Sequence, residues 1–264
     1  MPENRQSEPA SADIGLGGRV VLVTGGARGV GAGIVRVLDS LGAVPVICGR
    51  TEPTDGDGFD FHSCDVRDSD AVASMMAAIV ERHGRLDGAV NNAGGSPFAL
   101  AADASDNFAR KIVELNLMAP LIVARAAHAV MAGQPGGGAI VNVSSVSGHR
   151  PSPGTSAYGA AKAGLDNLTA SLAVEWAPAV RLNSVVCGPV ETELSHLHYG
   201  DADGVAAVGK TIPMGRLAAP VDVGNAVAFL LSPLAAYITG STLTVHGGGE
   251  KPAFLDAGNA ENRV

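Results

Sequence analysis

Residues Arg19–Leu41 read RVVLVTGGARGVGAGIVRVLDSL. The run Arg19–Val23 is short, apolar and rich in valine, as a strand buried on both faces requires. Thr24-Gly25-Gly26-Ala27-Arg28-Gly29-Val30-Gly31 follows, and Ala32–Leu41 has the spacing of a helix. Strand, glycine turn and helix together set backbone N–H groups and a helix N-terminus against a pyrophosphate. Gly25 permits the turn, Gly29 lets the backbone approach phosphates, and Gly31 lets helix and strand pack closely. Arg28 and Val30 lie inside the same loop.

Working outward, further strands are expected at Val44–Cys48, Phe59–Ser63, Leu86–Asn91, Ile140–Val143, Val180–Val186 and Ser241–Val245. Helices are expected from an Asp68 cap to His83, over Asp106–Ala132, over Ser156–Ala177 and over Val221–Leu231. Glu52–Gly58, broken by Pro53, Gly56 and Gly58, reads as a loop. Strands alternating with helices make an α/β chain, and 264 residues suffice for one such domain or two small ones.

Composition excludes several functions. Net charge is −8 with no basic run, against nucleic acid or an anionic membrane as partner. Hydrophobic residues make up 46 %, enough for a large core. Cys48, Cys64 and Cys187 are scattered and without metal spacing, which reads as reduced core thiols in a cytoplasmic protein. The polar start MPENRQSEPASADIG lacks an apolar segment and reads as a flexible tail, with the folded domain over residues 18–264. Leu115–Ala132 is interrupted by Asn116, Pro120, Arg125 and His128 and reads as a buried helix rather than a membrane span. His196 and His198 have no further ligand cluster, so no metal site is expected.

At the end of the second strand stands Gly49-Arg50-Thr51, without the acid that would bind a ribose 2′-hydroxyl. An arginine there suits a 2′-phosphate, and Arg28 is placed to reach it, so NADP(H) is favoured over NAD(H). Asp65, at the next strand end, can accept from an adenine amino group. In Asn91-Asn92-Ala93-Gly94-Gly95 the small residues let a ligand lie across the strand ends, while the asparagines tie neighbouring strands.

The chemistry-bearing stretch is Ser145–Lys162, SVSGHRPSPGTSAYGAAK. Tyr158 and Lys162 fall one helical turn apart on one face. A phenol titrates near pH ~10, and a neighbouring ammonium brings that value down. The pair can then move a proton on and off an alcohol or carbonyl oxygen, with the Ser145 hydroxyl donating to the same oxygen. Pro120 lacks an N–H, which frees the carbonyl of Asn116 for an ordered water. Glu193–Thr211, irregular and carrying His196, His198 and Tyr199, reads as a substrate lid.

Glycine loop, Asn-Asn-Ala-Gly, Ser145 and Tyr-x-x-x-Lys, in this order and spacing, resemble the short-chain dehydrogenase/reductase family over about Gly18–Gly249. The resemblance implies one Rossmann-type, three-layer domain with a doubly wound, seven-stranded parallel sheet. It implies hydride transfer between nicotinamide and a secondary alcohol or ketone, with Asn116, Ser145, Tyr158 and Lys162 as catalytic tetrad. Tyr158 would be the acid–base group, and Lys162 would lower its pKa and bind the nicotinamide ribose. Asp65 and Val66 match the adenine contacts, Asn92, Ala93 and Gly94 the central-strand motif, and Thr192, with Pro189 and Val190, the nicotinamide contact. Similar enzymes reduce 3-oxoacyl thioesters or oxidise hydroxysteroids, and are commonly homotetramers built through the two long helices and the last strand. Two departures stand out: Gly188-Pro189 where many relatives have Pro-Gly, and the shortened second crossover. The rival reading is a nucleotide-sensing protein without catalysis, which would be expected to have lost Tyr158 or Lys162.

Overall fold

A computed structural model describes residues 13–53 and 58–257. Seven strands, β1 Val20–Thr24, β2 Val44–Gly49, β3 Asp60–Ser63, β4 Gly88–Asn91, β5 Gly138–Ser145, β6 Val180–Cys187 and β7 Thr242–Val245, form one parallel sheet in the order β3-β2-β1-β4-β5-β6-β7. The helices are α1 Gly29–Ser40, α2 Ser69–His83, α3 Asp106–Val113, α4 Ala119–Met131, α5 Ser156–Trp176, α6 His196–Tyr199, α7 Ala202–Thr211, α8 Pro220–Leu231 and α9 Ala253–Ala257. The doubly wound seven-stranded sheet expected from the sequence is the one observed.

Alternation along each strand builds the three layers. Val20 and Leu22 face a core with Met75 and Ile79 of α2, Val123 and Ala127 of α4, and Leu172 of α5. Val21 and Val23 face the opposite core, with Ile34 and Leu38 of α1 and Val227 and Leu230 of α8. Burial on both faces explains why the strands read as continuous apolar runs. The order in which successive strands are added reverses between β1 and β4, and open sheets of this kind place ligands in the crevice outside the strand ends there. Backbone contact at Gly33 brings α1 against α8: a Cβ there would lie 2.3 Å from Pro220 Cβ.

Three expectations change. The long helix Asp106–Ala132 is not an α-helix kinked at Pro120; α3 and α4 are joined by a π-helical turn at Glu114–Met118. The wider turn absorbs the missing donor of Pro120 two residues further on, at the start of α4, where an N–H is least needed. That segment is long and apolar enough to span a membrane by composition. Here Ala119, Val123, Ala124, Ala127 and Met131 instead line one of the sheet's two cores. The stretch Glu193–Thr211 is not irregular, since it contains α6 and α7, the latter capped by the Asp201 carboxylate accepting from Gly204 N–H. The tail does not extend to residue 17: Leu16 is 1 % exposed and packs with Val21 and Ile34. Residues 1–12 of the expected tail, residues 54–57 of the expected crossover loop and residues 258–264 lie outside the described residues.

Candidate active site

The glycine turn is built as its composition requires. Gly25 and Gly29 have φ of 64° and 54°, a region closed to most side chains. A Cβ on Gly31 would lie 2.1 Å from the Gly25 carbonyl oxygen, so only glycine lets α1 begin this close to β1. The α1 N-terminus has no side-chain cap and no acidic residue in its first turn, leaving its N–H groups to an anion. Arg28 and Arg36 line a cleft of about 640 Å³ there, with Glu191, Thr192, Glu193 and Pro220. The same turn meets the loop after β6, because a Cβ on Gly29 would lie 3.6 Å from Thr192 Cγ2. These residues fit a dinucleotide: a cradle closed to Cβ atoms, an uncapped helix N-terminus, and Arg28 and Arg36 at the rim beside Glu191 and Glu193.

The adenine end differs from expectation in its partners. Asp65 is held by Arg67, whose Nε donates to Oδ1 at 2.9 Å and whose Nη2 donates to Oδ2 at 2.6 Å. Those bonds, then the nearby Arg50 charge, hold the Asp65 carboxyl down at about 2. The carboxylate is therefore charged and already oriented, with lone pairs remaining for an amino group. Arg50 is exposed at the end of β2, and Arg28 points into the cleft with Thr192. Val66 is buried beside them.

Across the strand ends, Asn92 Nδ2 donates to the carbonyls of Thr24 and Gly25, and the N–H groups of Asn92 and Ala93 donate to Thr24 Oγ1. Asn91 Nδ2 donates to Asn142 Oδ1 at 2.8 Å. Asn142 donates in turn to Thr169, which shares a hydrogen with Ser184. This buried ladder runs β4–β5–α5–β6 and fixes the strand ends against the helix that carries Tyr158. The asparagines do tie neighbouring strands; the rest of the ladder is invisible in sequence because its members lie 15 to 51 positions apart.

The four candidate catalytic residues converge. Ser145 ends β5, and its hydroxyl accepts from Ser147 N–H to open a short 3₁₀ turn. Tyr158 and Lys162 project from the first two turns of α5. Asn116 is fully buried in the π turn, where its amide donates to the carbonyls of Gly95 and Ile112 and accepts from Gly95 N–H. A Cβ on Gly94 would lie 2.7 Å from Asn116 Oδ1 and 3.6 Å from Lys162 Nζ, so Gly94 is the point where both meet. The Asn116 side chain holds the Gly94–Gly95 backbone.

Electrostatics correct one expectation. Lys162 Nζ lies 5.5 Å from the centre of the Tyr158 ring and donates at 2.7 Å to the Val143 carbonyl. Burial pushes the Lys162 ammonium down to about 8. Burial also pushes the Tyr158 phenol up to about 12, with neighbouring Ser145 pulling it partly back. The ammonium donates to a carbonyl rather than to the phenol, and burial outweighs the Ser145 hydrogen bond in setting the Tyr158 pKa. At neutral pH this phenol is a protonated acid beside a hydroxyl donor.

Two clusters were missed in the sequence. Asp166, one turn beyond Lys162, accepts from Ser144 Oγ at 2.9 Å and pairs with His149 Nε2 at 2.9 Å. It thereby fastens the end of β5, and Ser145 with it, to α5. Arg150 Nη2 donates to Glu250 Oε1 at 2.6 Å across one hundred residues. The Gly188-Pro189 departure is accommodated: Gly188 N–H donates to the Val245 carbonyl, and the Pro189 carbonyl accepts from Ala218 N–H. Among the described residues no group of three or more His, Cys, Asp or Glu side chains is placed to hold a metal ion. All three cysteines are buried and unpaired.

Residues 25–250 match the protein family described as Enoyl-(Acyl carrier protein) reductase. The chain is 36 % identical over 256 residues to "Uncharacterized short-chain type dehydrogenase/reductase y4vI" of Sinorhizobium fredii, covering 93 % of this chain and 45 % of that protein, so it spans about half the length of that relative. It is 37 % identical to "Cis-4-hydroxycyclohexanecarboxylate dehydrogenase" of Sinomonas cyclohexanicum, over 87 % of this chain and 96 % of the relative. The solved structure of Thermoplasma acidophilum aldohexose dehydrogenase superposes with a TM-score of 0.85 at 30 % identity, covering 90 % of this chain and 96 % of that one.

Proposed function

The chain belongs to the short-chain dehydrogenase/reductase family, and from that premise we propose that it is an NADP(H)-preferring oxidoreductase that interconverts a secondary alcohol and a ketone. The observation that carries this reading is the convergence of Ser145, Tyr158, Lys162 and Asn116 beside the glycine turn. The nicotinamide cofactor supplies or accepts the hydride. Gly25, Arg28, Gly29, Val30, Gly31, Asp65, Val66, Asn92, Ala93 and Gly94 would hold it, with Pro189, Val190 and Thr192 at its nicotinamide end.

Tyr158 acts as the acid–base group. Its burial keeps the proton on the phenol at neutral pH, which suits donation to a carbonyl oxygen in the reductive direction. Ser145 donates a hydrogen bond to the same oxygen and fixes its position. Lys162 places a cation between the Val143 carbonyl and Gly94, where the ribose of the cofactor would lie. Asn116 keeps the Gly94–Gly95 backbone from drifting. The preference for NADP(H) rests on Arg50 at the end of β2 and the missing acid there. The relatives' names place cyclic hydroxyacids and sugars among substrates to screen, beside 3-oxoacyl thioesters and hydroxysteroids. A cytoplasmic homotetramer completes the reading, supported by three unpaired buried cysteines and by the apolar surface of α5.

Titration of the protein with NADPH and NADH, followed by nicotinamide fluorescence, tests the cofactor part. Tighter binding of NADPH, weakened about tenfold by Arg50→Ala, is expected. Equal or tighter binding of NADH, unchanged by Arg50→Ala, would overturn the NADP preference.

A further inference from the structure

A second cleft, of about 170 Å³, opens between the turn that follows Ser145 at the end of β5, the start of the loop after β6 and the segment after β7. Val146, Gly188 and Pro189 give it apolar walls, and Arg150 and Glu250 stand among its lining groups. Two observations attach it to the reacting centre. Val146 follows Ser145 directly. Pro189 begins the loop whose Thr192 approaches the glycine turn.

Arg150 is fixed with respect to Ser145. Its backbone N–H donates to the Val146 carbonyl at 3.1 Å, within the turn that Ser145 opens. Its Nη1 donates to the Pro151 carbonyl at 3.1 Å and its Nη2 to Glu250. A guanidinium carries five donors, so this one has unused N–H groups. The ion pair itself is open, with side chains 41 % and 35 % exposed, and open pairs add little stability. A carboxylate entering the cleft meets the same guanidinium against apolar walls, where fork-shaped pairing is stronger. The alternative of a cationic ligand is weaker, since it would meet a single carboxylate, Glu250, that is already paired with Arg150.

We propose that Arg150 anchors a carboxylate on the substrate, with Glu250 occupying the guanidinium until that carboxylate displaces it. The substrate class is then a hydroxy or oxo acid with an apolar body, whose reacting carbon lies toward Tyr158 and whose carboxylate lies at the Arg150 end. This rests on the oxidoreductase reading only in taking the cleft as the substrate's. Glu250 sets selectivity by competition, so a neutral alcohol gains nothing from Arg150 and an amine gains only Glu250.

Calorimetric titration of the NADP-loaded protein with cyclohexanecarboxylate and with cyclohexylamine compares one ring carrying opposite charges. The carboxylate is expected to bind at least tenfold more tightly than the amine. Arg150→Met removes that preference, and Glu250→Gln tightens carboxylate binding several-fold. Arg150→Lys keeps the charge without the fork and falls between. Preference for the amine, or carboxylate binding indifferent to Arg150→Met, would overturn the proposal. The readout is binding without turnover, so it stands apart from the oxidoreductase reading, which fails only if NADP(H)-linked turnover is missing with every alcohol and carbonyl.

Discussion

Burial does opposite things to the two titrating residues of α5, and each has a measurable consequence. Lys162 is buried and its pKa falls from 10.5 to about 8. Between those values the unfolded chain binds more protons than the folded one, so this lysine's contribution to stability rises with pH across the window. Full recovery amounts to about 3 kcal/mol. Cofactor-free Lys162→Met lacks the term. Thermal melts should show the variant's advantage over the parent shrinking from pH 7 to pH 10. A constant difference would mean that Lys162 keeps its charge throughout. Asp166→Ala leaves the buried Ser144 hydroxyl with only a 3.5 Å contact to the Lys162 carbonyl. It should cost about 1–3 kcal/mol in denaturant unfolding; an unchanged midpoint would show that the Ser144–Asp166–His149 cluster holds nothing together. The convergence of Ser145, Tyr158 and Lys162 was legible because Tyr158 and Lys162 share one helical turn and Ser145 ends a strand. Asp166 was not, because its partners come from a different element and nothing local marks it.

At the scale of elements, close approach decides where side chains are forbidden. Gly31→Ala would set a Cβ against the Gly25 carbonyl. Either α1 moves or the turn opens, and overpacking of this kind costs about 1–3 kcal/mol. We expect weakened binding of both NADPH and NADH, together with a lowered melting temperature. Normal affinity for both nucleotides would remove the glycine turn from the cofactor site. The strands were legible to within two residues, the inner ones because burial on both faces writes them as apolar runs. The α6–α7 region was not, since Gly and Ala dominate it and its helical signal is a single Asp201 cap. The π turn was missed for a related reason: Pro120 announces a disturbance, but the extra residue in the turn is set by Asn116 bonding to Gly95 and Ile112, and Gly95 lies outside the helix.

On the whole molecule, the described surface leaves apolar groups uncovered. Val174, on α5, is 83 % exposed and Tyr237, just before β7, is fully exposed. The neighbouring Trp176 stacks on His128 of α4 with ring centres 4.5 Å apart. Exposed apolar groups gathered on adjoining elements mark association surfaces, and a homotetramer through α4, α5 and β7 would cover them. Sedimentation is expected to give a tetramer, and Val174→Glu a smaller species. A monomeric parent at the same concentration would contradict this. Fold class was legible from strand and helix alternation, but the Arg150–Glu250 pair was not, because one hundred residues separate two groups that only the folded chain brings together.

The central claim is that Tyr158 moves the proton while neighbouring groups hold substrate and cofactor. Tyr158→Phe keeps the ring and removes the hydroxyl, so the decisive measurement is its turnover with NADPH on any accepted carbonyl, beside its NADPH affinity. The account predicts a fall in kcat of about 100-fold or more with affinity nearly unchanged. Near-normal kcat with intact NADPH binding would contradict it.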